Sequence, residues 1–202
     1  MCMLRVSRLS GAALFFCKGV CTMERKACCF IGHRKVFSDK IEERLKTAVE
    51  EQIIGGCKSF TMGTHGEFDE MALSACRIAR QAHPDIMIEV VLTSYHTIER
   101  KNEFDYIPYS DVETVMYDIE DEHFKRRITI SNRQMIDTCD TLICYVDKKT
   151  SPSGAKTAMN YAKRKGLNIV NLFREEDDPT FGMTSDQKME YWDRIISEIR
   201  NN

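Results

Sequence analysis

Several absences narrow this chain before any motif is considered. No apolar run approaches the roughly 20 residues that a transmembrane helix needs, so a membrane partner is not expected. Nine cysteines are present, but no C-x-x-C pair occurs among them, which argues against a structural zinc or a thioredoxin-like redox centre. Adjacent Cys28 and Cys29 would point to opposite faces of a strand, while Cys57, Cys76, Cys139 and Cys144 lie in apolar segments. Free, buried thiols are therefore expected in place of a disulfide framework. His83, His96 and His123 show no ligand spacing and read as surface or turn residues, so no metal is expected.

A strong charge of either sign is also missing. With 29 basic and 31 acidic residues, the net charge is −2, which supplies no general field for DNA or RNA. Any anion site must be local. Two common nucleotide signatures are absent too. The G-x-G-x-x-G dinucleotide fingerprint does not occur, and at Ser153-Gly154-Ala155-Lys156-Thr157 the Walker spacing fails because Ala155 precedes Lys156.

What remains describes an ordinary folded domain. Hydrophobic residues make up 43% of the 202, enough for a core and against disorder, and the length suits one α/β domain but would cramp two. Residues 1–22 stand apart, with Arg5, Arg8 and Lys18 but no acid; removing that +3 from −2 leaves −5 for the rest. We expect a natural start at Met23, with a targeting peptide as the alternative, and a single domain over 23–202.

Within that domain strands and helices alternate. KACCFI (Lys26 to Ile31) reads as a strand, and Ser38 or Asp39 can cap the helix on which Ile41, Leu45, Ala48, Val49 and Ile53 recur at helical spacing before Gly55-Gly56. Cys57 to Met62 is a second strand. The helix after it carries Phe68, Met71, Ala72, Ala75, Ile78 and Ala79 and ends at His83-Pro84. Ile86 to Leu92 is a third strand, Ser94 to Ser110 a long polar loop, and Val112 to Tyr117 a further strand. A helix over Glu122 to Thr138, a buried strand over Thr141 to Val146, a helix from Gly154 closed by Gly166, and a strand over Asn168 to Phe173 follow. A last helix, Ser185 to Arg200, puts Met189, Trp192, Ile195, Ile196 and Ile199 on one face, to pack on the sheet or on a partner subunit. This order predicts a Rossmann-like α/β fold: a mostly parallel sheet with helices on both faces, and a ligand crevice beyond the carboxyl ends of its strands.

Three turns should meet there. Gly32-His33-Arg34 offers close backbone approach and a guanidinium fork, although a tight turn with two solvated side chains would look the same. Gly63-Thr64-His65-Gly66-Glu67-Phe68-Asp69 opens a helix. Backbone N–H groups there could face a ligand, but Glu67 and Asp69 would repel phosphate and suit ribose hydroxyls, unless Asp69 only caps the helix. Ser153 and Gly154 open another helix and suit an anion. Arg133 either points into the crevice or lies on the surface near a helix C-terminus, and Lys125, Arg126 and Arg127 form a solvated face.

FIGHRK, MGTHGEFDEMA and SNRQMIDTCDTLICYVDKKTSPSGAKTAMNYAKRKG, in this order, resemble the YpsA-like branch of the SLOG superfamily over nearly all of Lys26 to Phe173, with Arg133, Met135 and Asp137 forming an R-x-M-x-D pattern. That superfamily also holds DprA-like and LOG proteins. The resemblance implies a Rossmann-like pocket for a nucleotide, an ADP-ribose-like molecule or another NAD-derived ligand, in a cytoplasmic protein that can form homo-oligomers. Carried over by position, Gly32 and Arg34 match the first loop, Gly63, Gly66 and Asp69 the second, Arg133 the helix arginine, and Ser153 and Gly154 the last turn. The last turn departs from the family's usual Gly-Gly-Thr, reading Ser153-Gly154-Ala155. LOG enzymes hydrolyse nucleotide N-glycosidic bonds with a P-G-G-x-G-T-x-x-E motif; here the corresponding stretch is GTHGEFDE, with Glu67 or Glu70 as acid or base candidates. Ligand binding is thus the first expectation and N-glycosidic hydrolysis the alternative.

Overall fold

The computed structural model describes residues 26–93, 109–119, 121–149 and 153–201. The expected N-terminal extension and most of the expected polar loop, residues 94–108, lie outside the described residues. Among the described residues six strands and five α-helices follow one another: β1 (Lys26–Gly32), α1 (Ile41–Ile54), β2 (Cys57–Met62), α2 (Glu67–Ala82), β3 (Met87–Leu92), β4 (Glu113–Met116), α3 (Phe124–Asp137), β5 (Thr141–Tyr145), α4 (Gly154–Lys165), β6 (Asn168–Asn171) and α5 (Ser185–Asn201). All pairings are parallel, in the order β4-β3-β2-β1-β5-β6. This is the expected Rossmann-like sheet.

Two apolar layers hold it together. Alternation along the strands sends Cys28, Phe30, Phe60, Met62, Ile143 and Tyr145 into the layer shared with α1 and α2. Cys29, Ile31, Leu142, Cys144 and Val146 enter the other, shared with α3 and α4. Cys28 and Cys29 therefore do face opposite ways. Both are buried, as are Cys57, Cys76 and Cys144, whereas Cys139 is only half-buried. On α1 the five residues picked by helical spacing, Ile41, Leu45, Ala48, Val49 and Ile53, are the five that are buried. Each large side chain so placed contributes about 1.5–3 kcal/mol of burial. At the end of α4, Gly166 sits at φ 82°, the left-handed cap that only glycine adopts cheaply.

Other local expectations need correction. The cap of α1 is Lys40 with no side-chain bond, because Ser38 and Asp39 lie in a turn one residue too early; only the Ser38 carbonyl engages the helix, accepting from the Ile41 N–H. On α2 the buried stripe is Phe68, Ala72, Leu73, Ala75 and Cys76, while Ile78 is exposed, so the face is rotated by about one position. Helix α5 does not bury its apolar side on the sheet. Met189, Trp192 and Ile196 remain exposed, and Trp192 meets Phe37 edge to face, with ring centroids 6.4 Å apart.

Between β6 and α5 a short 3-10 turn, Glu175–Asp177, ties the chain back onto α1. Arg44 donates to an oxygen of Asp177 at 2.6 Å and to the Leu172 carbonyl at 3.1 Å, Asp177 being buried and Arg44 largely so. Burial opposes ionisation of Asp177, but the Arg44 guanidinium, the Arg174 N–H and Ser38 outweigh it and hold the carboxyl below its ordinary range. Among the described residues no helix is long and apolar enough to cross a membrane.

Candidate functional site

The strand order reverses between β1 and β5, so the loops leaving these two neighbours diverge to opposite faces of the sheet. A cleft of about 320 Å³ opens at that point. Its walls come from the three turns singled out by sequence: Gly32, His33 and Arg34 after β1, Gly63 and Gly66 with Asp69 after β2, and Ser153 and Gly154 after β5. Helix α3 closes the fourth side with Ile128, Asn132 and Met135, one helical face.

Each turn is shaped by its neighbours. A Cβ on Gly32 would lie 2.4 Å from the Phe68 ring, so this glycine is required by close packing of α2 on the end of β1 rather than by a ligand alone. A Cβ on Gly66 would lie 2.7 Å from the Arg34 Cα, which lets the Glu67 N–H donate to the Arg34 carbonyl at 3.0 Å and docks the second turn onto the first. Gly154 differs: nothing lies within 4 Å of where its Cβ would be, so its surface is open toward the cleft.

The electrostatics are divided. At the start of α2 the Asp69 carboxylate accepts the His65 N–H at 2.8 Å and reaches the Gly66 N–H, filling the helix's positive end with its own charge. Burial pushes Asp69 up to about 6 even though it retains some exposure at the cleft. At the start of α4 Ser153 caps the helix, its Oγ accepting the Lys156 N–H at 3.1 Å, and the first turn contains no acid. Arg34 lines the same cleft, and its side chain makes no hydrogen bond or ion pair among the described residues. Asp69 thus brings a carboxylate to the α2 wall of the cleft, the start of α4 offers a positive helix end without one, and Arg34 lines the same cleft on the β1 turn, with its charge felt at His65.

Two histidines line the cleft. The His33 Nε2 accepts the Asp147 N–H at 3.0 Å, which leaves Nδ1–H as the donor of the neutral ring. Burial lowers its pKa, with Asp147 opposing. The His65 Nε2 lies 2.9 Å from Thr93 Oγ1, and burial, then Arg34, lower its pKa as well. Both rings are neutral at pH 7.

Four of the sequence candidates are not at the cleft. Glu67 turns away to accept from Lys35 Nζ at 2.6 Å and the Val36 N–H at 2.9 Å; the Lys35 bond, with that N–H, lowers its pKa. Glu70 is exposed on α2 and lines no part of the cleft. The Thr64 hydroxyl is buried without a partner and also does not line it. Arg133 lies over the Tyr161 ring of α4, 5.6 Å from its centroid, because it is about 100° around α3 from Asn132. Asn132 and His65 were missed. His65 stood inside the motif, but a histidine in a glycine-bounded turn carries no sign of its orientation, and Asn132 could have been found only by fixing which face of α3 meets the sheet. The Lys156 ammonium, in the turn that fails the Walker spacing, donates to the Lys148 carbonyl at 2.7 Å. Among the described residues no group of three or more His, Cys, Asp or Glu is placed to hold a metal. No protein-family model matches the chain, and no curated protein matches it.

Proposed function

We propose that this cleft binds a nucleotide or NAD-derived, ADP-ribose-like ligand, and that the chain belongs with the YpsA-like branch of the SLOG superfamily. The observation that carries the reading is the division of charge across one cleft at the sheet's reversal point. A phosphate suits the α4 side, where backbone N–H groups and the Ser153–Gly154 turn offer donors without a competing carboxylate, and Arg34 lines the same cleft. A ribose hydroxyl suits the α2 wall, where Asp69 accepts hydrogen bonds. Calorimetry with AMP, ADP-ribose, NAD and cyclic ADP-ribose tests this. Saturable one-site binding to at least one of them is expected, and silence toward all four removes the proposal.

A second reading, N-glycosidic hydrolysis, has one observation in its favour. Asp69 is a cleft carboxyl titrating near pH 6, so it can hold a proton close to neutrality and deliver it to a departing base. In this version the acid is Asp69, not Glu67 or Glu70. Incubation with nucleoside monophosphates and with NAD, reading free base, separates the two: release above the uncatalysed rate, lost in Asp69→Asn, favours hydrolysis, and no release leaves binding.

A further inference from the structure

Beyond His33 and Ser153, which line both, the first cleft continues into a second of about 480 Å³. Both volumes fall within the roughly 300–1,000 Å³ of small-molecule sites. The second has a different lining. Phe37, Tyr145, Phe173 and Trp192 reach it from four separate stretches of chain. Tyr145 stacks on Phe68 with centroids 6.0 Å apart and meets Phe173 edge to face at 5.3 Å, forming a fixed aromatic floor. Phe37 and Trp192 touch each other at the mouth and are still 54% and 39% exposed. Large rings left partly in water beside a concave surface are suited to closing on a flat apolar guest.

The polar groups of this second cleft are chiefly acceptors. The Asp147 Oδ1 takes the Lys149 N–H at 2.7 Å, and the Asp178 Oδ1 takes both the N–H and the O–H of Thr180 at 2.8 Å, so each carboxylate is held in place by its own loop. Among the described residues the one ammonium lining it, that of Lys35, is engaged by Glu67. Tyr145 is 1% exposed, and its hydroxyl has no hydrogen-bond partner among the described residues. Burial, then Asp177, push its pKa up to about 12 while the Phe37 N–H opposes them, so Tyr145 serves the cleft as a neutral ring.

We propose that the second cleft is the subsite for the planar, amine-bearing nitrogenous ring of the same ligand. Phosphate and ribose occupy the polar cleft, and the base crosses the His33–Ser153 ridge to lie between the aromatic floor and the Phe37–Trp192 pair. Its exocyclic amine can donate to Asp147 or Asp178. The His33 Nδ1–H stands on the ridge, where it can donate to an oxygen of the sugar. This assignment rests on the sugar-phosphate reading of the first cleft.

Trp192 is the sole tryptophan, so its fluorescence reports on this cleft alone. The full chain is titrated with AMP, GMP and CMP, which carry an exocyclic amine, and with UMP and ribose 5-phosphate, by calorimetry and by tryptophan emission. At least one amine-bearing nucleotide should bind tenfold tighter than UMP and ribose 5-phosphate and change the emission, while ribose 5-phosphate binds without changing it. Phe37→Ala, at an exposed position, should erase about tenfold of that preference and leave ribose 5-phosphate binding as it was, which shows the fold intact. Equal binding of nucleotides and ribose 5-phosphate with silent emission overturns the ring subsite but spares the proposed function. Failure of every compound to bind overturns both.

Discussion

Helices α2 and α4 both begin at the same cleft, yet their first turns are built for different tasks. The start of α2 is closed from within: Asp69 fills its positive end, Gly66 is pressed against the Arg34 backbone, and Glu67 clasps the 35–36 loop. The start of α4 has a serine cap, a glycine facing open space and no acid in the first turn. Two helix N-termini with equal dipoles therefore differ in what they can accept, because one has already spent its donors on the protein. A helix end becomes an anion site only when the chain leaves it unfilled.

The sharpest way to break this comparison is a matched pair of glycine substitutions. Gly66→Ala should lower unfolding free energy by about 3 kcal/mol, since the new methyl meets backbone that cannot give way, whereas Gly154→Ala should leave stability within about 0.5 kcal/mol and weaken phosphate-ligand binding. Urea unfolding beside calorimetry checks both, and similar losses of stability in the two variants would erase the distinction. Next in size is the pH response of Asp69. Its folded pKa of about 6 lies above its ordinary 3.8, so the folded state holds a proton that the unfolded state releases between these values. The stability this contributes is complete below about pH 4 and lost as pH rises through about 6, a difference of about 2 kcal/mol relative to Asp69→Asn in the same buffers. Parallel stability profiles for the two proteins over pH 4 to 8 would contradict the buried-carboxyl description.

Arg34→Ala should cost phosphate-bearing ligands ten- to thirtyfold in affinity, about 1.5–2 kcal/mol, with unfolding unchanged, because the guanidinium holds nothing else among the described residues. The smallest effect is expected at Glu67. Its ion pair with Lys35 is exposed enough for solvent to screen, so Glu67→Gln should alter stability by no more than about 0.5 kcal/mol and leave ligand affinity alone. A tenfold affinity loss in Glu67→Gln would place that carboxylate in the site after all.

The two starts also show what a sequence can and cannot disclose. The α1 face, the strands, the opposed Cys28 and Cys29, and the meeting of three distant turns were all legible, since periodicities of about 3.6 and 2 and the rule that parallel sheets bind at their reversal point are local or topological. Choosing between Glu67 and Asp69 was not. Positions two apart on a helix point about 200° apart, and the phase of α2 is set by the fit of Phe68 beneath Gly32, which no local pattern encodes. An ambiguity of the same kind hid Asn132 behind Arg133, and Leu73 and Cys76 behind Ile78. The aromatic cleft was invisible for another reason: Phe37, Tyr145, Phe173 and Trp192 share no spacing and meet only through tertiary structure.

The Arg44–Asp177 pair sits outside both clefts, yet it decides how they are related. By anchoring the stretch that follows β6 to α1, it fixes where Phe173 and the 178–180 turn stand relative to the sheet, while the polar cleft draws on none of that stretch. On the proposed reading, grip on a phosphate and discrimination among bases would then be separable traits, since changes in the tail would reach the aromatic cleft and leave the sheet-borne cleft as it is.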